Sequence, residues 1–247
     1  MSFRLAPALV ALMLATSSHA LDLSNMTDEE RAIFREEVRS YLLDNPEVIM
    51  EAVRSLEERQ AAQQAEADLQ LVADNSDAIF EDGYSFVGGN PDGDITLVEF
   101  LDYRCGFCKR AHPEVGRLLE SDGNIRLIVK EFPILGEQSV LASRFAIATK
   151  QVVGDEAYKA MSDALIETNT DITMPILQRL AGTFGYDFAA IEAQMNSDEV
   201  TRKIAETRAL AQKLQISGTP TFVLQDELLR GFLPYDQMKE LVDEKRG

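Results

Sequence analysis

Cysteine is nearly absent from this chain: Cys105 and Cys108 are the only two in 247 residues. So small a number excludes a multi-disulfide scaffold and an all-cysteine tetrahedral zinc site within one chain. Histidine is as scarce, with only His19 and His112, so a site of two cysteines and two histidines would need both. Basic charge is short as well, 24 Lys and Arg against 42 Asp and Glu, for a net charge of -18. A field that acidic repels phosphate backbones and anionic lipid, which argues against nucleic acid as a partner. No apolar run reaches the roughly 20 residues that cross a bilayer, and no internal repeat or low-complexity tract is present. Apolar residues at 45% and charged residues at 27% match soluble averages, and the length suits one to two domains.

Residues 1–20 read as an address. Arg4 supplies the positive start, residues 5–15 are apolar apart from Pro7, and Ser18-His19-Ala20 places small residues where a signal peptidase reads. Cleavage is expected after Ala20, giving a periplasmic or secreted protein in an oxidising compartment. No cysteine follows the cut, so no lipoprotein anchor is expected. The mature chain then holds 23 basic and 42 acidic residues, net -19, because only Arg4 is lost.

Residues 21–82 contain 17 acidic and 5 basic residues and no glycine, a helical texture. Thr27 and Glu30 are spaced as a capping box, and Ile33, Phe34, Val38, Tyr41 and Leu42 then share one helical face. Asn45-Pro46 restarts the chain, Asn45 as a cap and Pro46 at a first helical position. The second helix carries Ile49, Val53, Leu56, Gln60, Gln63, Ala67 and Gln70 along one seam that turns polar after Leu56. Such a seam is poorly made for burial in a globule and better suited to packing on copies of itself, so a homo-oligomer is expected. Packing on the chain's own core is the alternative.

Beyond Gly83 the register changes. Residues 84–87 and 95–101 read as strands around the turn cluster 88–93, and the run over 95–101 is apolar enough for burial on both faces. Cys105-Gly106-Phe107-Cys108 follows at once, then helical spacing over 109–120 with Pro113 as a kink, and a third strand over 125–132. A Cys-x-x-Cys where a buried strand enters a helix puts the first sulfur at the helix N-terminus, where outward-pointing amides favour thiolate over thiol. Cys108, one turn further in, should be shielded and act as the resolving thiol. Arg104, Lys109 and Arg110 add positive charge around the pair. Glu99 on the buried strand has its charged form disfavoured by desolvation, which makes it a proton acceptor for a thiol; Lys130 is a candidate partner for it. Two other uses of the cysteines stay open: a static disulfide, and copper(I) or zinc binding by Cys105, Cys108 and His112 at i, i+3 and i+7.

Glu99, the Cys105–Cys108 pair, Pro113 and the distant Ile216-Ser217-Gly218-Thr219-Pro220-Thr221-Phe222 together resemble the thioredoxin-fold disulfide oxidoreductases of the DsbA type, from about residue 84 onward. The acidic helical leader is similar to that of the ScsC-like (suppressor of copper sensitivity) members, which carry an N-terminal oligomerisation region. The resemblance implies an α/β thioredoxin fold with a four- or five-stranded sheet and a helical insertion at about 137–197. With the composition shifts above, it divides the chain into a signal peptide over 1–20, a helical oligomerisation region over 21–82 and a DsbA-like thioredoxin domain over 83–247. It also implies a catalytic Cys105 at a helix head, with Pro220 in a cis peptide facing it.

Thr219 and Pro220 stand between a helix over 201–214 and a strand over 221–224, where the backbone of Thr219 can meet an extended substrate. Gly106 and Phe107 complete the expected substrate contacts. Helices over 139–150, 155–167, 173–184 and 187–195 fill the insertion, and a last one spans 234–244. The implied activity is exchange of disulfides with unfolded or misoxidised exported proteins, with a membrane redox partner and with no cofactor or resident metal. An oligomer favours isomerase or reductase chemistry; a monomeric dithiol oxidase and a copper(I)-binding protein using the same cysteines are the alternatives.

Overall fold

The structure, a computed structural model, describes Leu23 and residues 25–247; the signal segment, its cleavage site after Ala20 and His19 lie outside the described residues. Two compact units divide between Arg59 and Gln60.

In the first unit, helix α1 (Asp28–Asp44) opens on the expected capping box. Thr27 Oγ1 accepts from the Glu30 amide, and Glu30 Oε2 accepts from the Thr27 amide at 2.8 Å. Asn45 acts differently from its expected role. Its amide and its side chain both donate to the Tyr41 carbonyl, so the side chain closes α1 instead of capping helix α2 (Glu47–Asp74), while its carbonyl accepts from the Val48 amide at 3.2 Å in the first turn of α2. No residue of α1 is buried. Ile33 is 66% and Tyr41 55% exposed, and Ile49, Val53 and Leu56 of α2 are exposed too. The apolar seam is therefore not buried within its own unit.

The second unit begins inside α2 and continues through helix α3 (Ser76–Phe80) into strands β1 (Phe86–Gly89) and β2 (Ile95–Leu101), helix α4 (Gly106–Asp122) and strand β3 (Ile125–Glu131). Helices α5 (Glu137–Val152), α6 (Asp155–Glu167), α7 (Met174–Thr183) and α8 (Phe188–Met195) form the insertion. Helix α9 (Asp198–Lys213), strands β4 (Thr221–Leu224) and β5 (Glu227–Arg230) and helix α10 (Tyr235–Arg246) complete the chain. The five strands run in the order β1-β3-β2-β4-β5, with β2 parallel to β3 and the other pairs antiparallel.

Period-two alternation splits the sheet into two buried faces. Leu97, Leu101, Leu127, Val129 and Phe222 pack with α4, α10 and the insertion. Val98, Phe100, Ile128 and Val223 pack with α9, and also with Val72 of α2 and Ile79 of α3. The boundary expected at residue 82 is thus displaced into α2, because its last turns belong to the second core. Asp68, 6% exposed, pairs with Arg230 of β5, and Asp82 pairs with the fully buried Lys130.

Strand β5 has no counterpart in the sequence reading. Its hairpin loop is Gln225-Asp226, with Gln225 at φ 55°, where Asn-Gly is the usual signal. Gln225 holds the turn through its side chain, accepting from the Thr96 amide at 3.2 Å and donating to the Asp94 carbonyl at 3.1 Å. Helix α4 runs on through Pro113.

Candidate active site

Strand β2 delivers the chain to the site and Asp102 turns it. The fully buried Asp102 carboxylate accepts from the amides of Arg104 (2.8 Å), Ile134 (2.8 Å) and Leu135 (3.0 Å), which joins the turn before α4 to the loop after β3. Cys105 then stands as the N-cap of α4. Its thiol donates to the Thr219 carbonyl at 3.0 Å, and the Thr219–Pro220 peptide is cis. The two halves of the expected site, 114 residues apart, therefore meet through the pairing of β2 with β4.

Both cysteines are free thiols. Cys105 is 7% exposed and Cys108 not at all, so of the two residues only Cys105 keeps any contact with solvent. Burial, and next the charge of Glu99, push the Cys108 thiol far above the ordinary range. Gly106 and Phe107 between them are exposed, and the Arg110 guanidinium lies 4.3 Å from the centre of the Phe107 ring.

Glu99 is 5% exposed on the α4-facing side of β2, and its Oε1 has no hydrogen-bond partner among the described residues. Burial is the main cause that raises its carboxyl to about 7; His112 opposes the rise and Glu131 adds to it. A cavity of about 390 Å³ between α4 and α6 reaches Glu99, with His112 and Asp163 on its wall.

Lys130 does not pair with Glu99. Side chains alternate along β3, and the register Glu99↔Val129 puts Lys130 on the opposite face of the sheet. There its ammonium donates to the Ala78 carbonyl at 2.9 Å and to Asp82. Arg104 and Lys109 do not simply surround the sulfurs either. Lys109 donates to the Thr168 carbonyl and Arg104 to that of Thr170, so both hold the loop between α6 and α7. His112 turns to Asp163 of α6, 3.3 Å away. Among the described residues no group of three His, Cys, Asp or Glu side chains is placed to hold a metal ion.

Sequence reasoning misses Asp102 and Glu131. An acid at the end of an apolar strand is the one signal that marks both, and it says nothing of their partners.

Comparison with known proteins agrees with this geometry. The family described as DSBA-like thioredoxin domain matches residues 96–243, and the Copper resistance protein ScsC N-terminal domain matches residues 30–63. A thioredoxin-like oxidoreductase from Silicibacter pomeroyi DSS-3 is 42% identical, covering 70% of this chain and 98% of its own, with a TM-score of 0.66. BcfH of Salmonella enterica Typhimurium is 26% identical over 89% of this chain and 97% of its own, with a TM-score of 0.73. Proteus mirabilis ScsC in a transitional conformation is 28% identical over 89% of this chain and 98% of its own, with a TM-score of 0.65. The chain belongs to the DsbA-like thioredoxin family of thiol-disulfide oxidoreductases and carries an ScsC-type N-terminal region.

Proposed function

We propose that the protein is an exported, self-associating disulfide isomerase or reductase in which Cys105 attacks and Cys108 resolves. The observation that carries this reading is the Cys105 sulfur at the head of α4, 3.0 Å from the carbonyl that precedes Pro220, above a Cys108 with no exposure.

The Cys105 thiolate attacks one sulfur of a substrate disulfide; a new sulfur–sulfur bond forms and the other substrate sulfur leaves as a thiolate. In isomerisation a substrate thiolate then attacks the mixed disulfide, forms a new substrate disulfide and returns Cys105 reduced. In reduction Cys108 gives its proton to Glu99 and attacks the Cys105 sulfur; the second substrate sulfur leaves as a thiolate and the enzyme becomes the disulfide. A membrane redox partner restores the dithiol with two electrons. As thiolate or mixed disulfide, Cys105 can no longer donate to Thr219, so that carbonyl is released to an amide of the extended substrate. Gly106, Phe107 and Pro220 line the same approach.

The oligomer is supported by α1 and the first half of α2, where Ile33, Tyr41, Ile49, Val53 and Leu56 are exposed. Export to the periplasm follows from the reading of residues 1–20, and the clients are misoxidised exported proteins.

Reactivation of scrambled ribonuclease, with masses from light scattering, tests the reading. The mature chain and a chain beginning at Gln60 should be compared, since a cut at residue 82 would strip Val72, Ile79 and Asp82 from the second core. The mature chain is expected to scatter as a multiple of one chain and to reactivate ribonuclease. The shorter chain is expected to be monomeric and to keep only simple dithiol exchange. A monomeric mature chain, or equal reactivation by both, contradicts the proposal and favours a monomeric oxidase.

A further inference from the structure

Glu131 ends β3 in register with Leu101 of β2, while Glu99 pairs with Val129. The two carboxyls therefore lie on one face of the sheet, two residues apart along neighbouring strands. Glu131 is 6% exposed, and its Oε1 accepts from the Tyr103 hydroxyl at 2.7 Å and the Tyr158 hydroxyl at 2.6 Å. Tyr103 Oη also lies 3.1 Å from Ser162 Oγ. Tyr103 is fully buried two residues before Cys105, and Tyr158 and Ser162 belong to α6. One carboxylate oxygen thus joins the turn that presents Cys105, the sheet and the inserted helices.

Packing alone does not call for such a group. Burying a carboxylate is unfavourable, and an apolar cluster of the same volume is often as stable or more so. We propose that Glu131 is a positioning residue for disulfide exchange, a carboxylate that clamps Tyr103 and the turn into Cys105 against α6 and acts electrostatically on Glu99 across the shared face of the sheet. The second part rests on the reading of Glu99 as the proton acceptor for Cys108.

The charges around the pair are these. Glu131 faces Glu99 of β2, Asp102 and Tyr103 of the turn, and Tyr158 of α6. A cavity of about 120 Å³ on its other side brings Tyr84, Lys150 of α5 and Lys203 of α9 to it. Both ammoniums are already engaged, by Asp155 at 2.7 Å and Glu199 at 2.9 Å. Glu99 faces His112 of α4, which favours its charge, and Cys108; the cavity that reaches it is also lined by Arg117 and Glu120 of α4 and by Lys159, Asp163 and Glu167 of α6, with Asp163 paired to Lys159 and His112. Burial is the main cause that pushes both carboxyls up to about 7. Ionising one makes ionising the other harder, so the pair releases its protons in two coupled steps.

Three proteins test this: wild type, Glu131→Gln and Glu99→Gln. The rate at which Cys108 displaces a small thiol from a mixed disulfide on Cys105 is followed against pH, and the Glu99 carboxyl is titrated by carbon-13 NMR. Glu131→Gln keeps an acceptor for both tyrosines and removes the charge. It is expected to lower the midpoint of the rate and of the Glu99 titration by roughly half to one pH unit. Glu99→Gln is expected to abolish the step. If Glu99→Gln keeps the step, the proton-acceptor reading fails, and the Glu99 titration alone then judges Glu131. If Glu99→Gln removes the step while Glu131→Gln leaves both midpoints in place, the Glu131 proposal is overturned and the Glu99 reading stands. Tyr103→Phe supplies a milder variant should Glu131→Gln not fold. Losing one donor makes Glu131 easier to protonate, so the Glu99 midpoint should fall in the same direction by less, and an unchanged midpoint counts against the proposal.

Discussion

Glu99 sits in a surrounding that favours its neutral form, and the cost of charging it can be read as stability. The folded protein holds this proton more tightly than the unfolded chain, about 7 against an ordinary 4.5. Stability contributed by the neutral form is therefore fully present below about 4.5 and is lost as pH rises through about 7, by up to about 3 kcal/mol. Glu99→Gln removes this loss. Urea unfolding at pH 5 and pH 8 should show the variant gaining roughly 1–3 kcal/mol relative to wild type between the two; equal pH dependence contradicts the assignment. At this scale the Cys-x-x-Cys spacing marks Cys105 and Cys108, and the family resemblance implies the cis Pro220 that the structure sets beside Cys105 through the Thr219 carbonyl; the roles given to these residues and to Glu99 belong to the proposed function. Glu131 is not legible, since its meaning lies in Tyr103 and Tyr158, 28 and 27 residues away in opposite directions. Lys130 is misplaced by sequence alone for want of the strand register that separates it from Glu99.

Elements are legible where periodicity and caps coincide. Helices α5 to α10 follow their expected spans within a few residues, because each has an apolar face set by the sheet or by its neighbours. Strand β5 escapes such reading because Gln225 takes a left-handed turn through contacts with residues near 95, which no local pattern reveals. The tail of α2 reads as part of the leader because its composition is acidic and polar, yet Val72 and the fully buried Ile79 of α3 complete the second face of the sheet. Ile79→Ala should accordingly destabilise the second unit by about 2–5 kcal/mol. Chemical denaturation checks this, and a loss under about 1 kcal/mol would mean that α3 is only loosely attached.

Across the whole molecule an acidic chain, net -18, concentrates cations beside its redox pair and uses them internally. Lys109 and Arg104 grip the loop between α6 and α7, and Glu131 and Ser162 hold Tyr103 from beneath. The insertion is thereby fixed to the turn that presents Cys105 at several points, so the sulfur is displayed on a rigid support while Cys108 stays enclosed. All of the proposed chemistry depends on that division of labour between the two sulfurs. Trapping with a disulfide-bonded client, read by mass spectrometry of non-reduced samples, measures it directly. Cys108→Ser is expected to accumulate a covalent client adduct through Cys105 that dithiothreitol releases, and Cys105→Ser to form none. Adducts of equal yield on both variants, or on Cys105→Ser alone, would contradict the account.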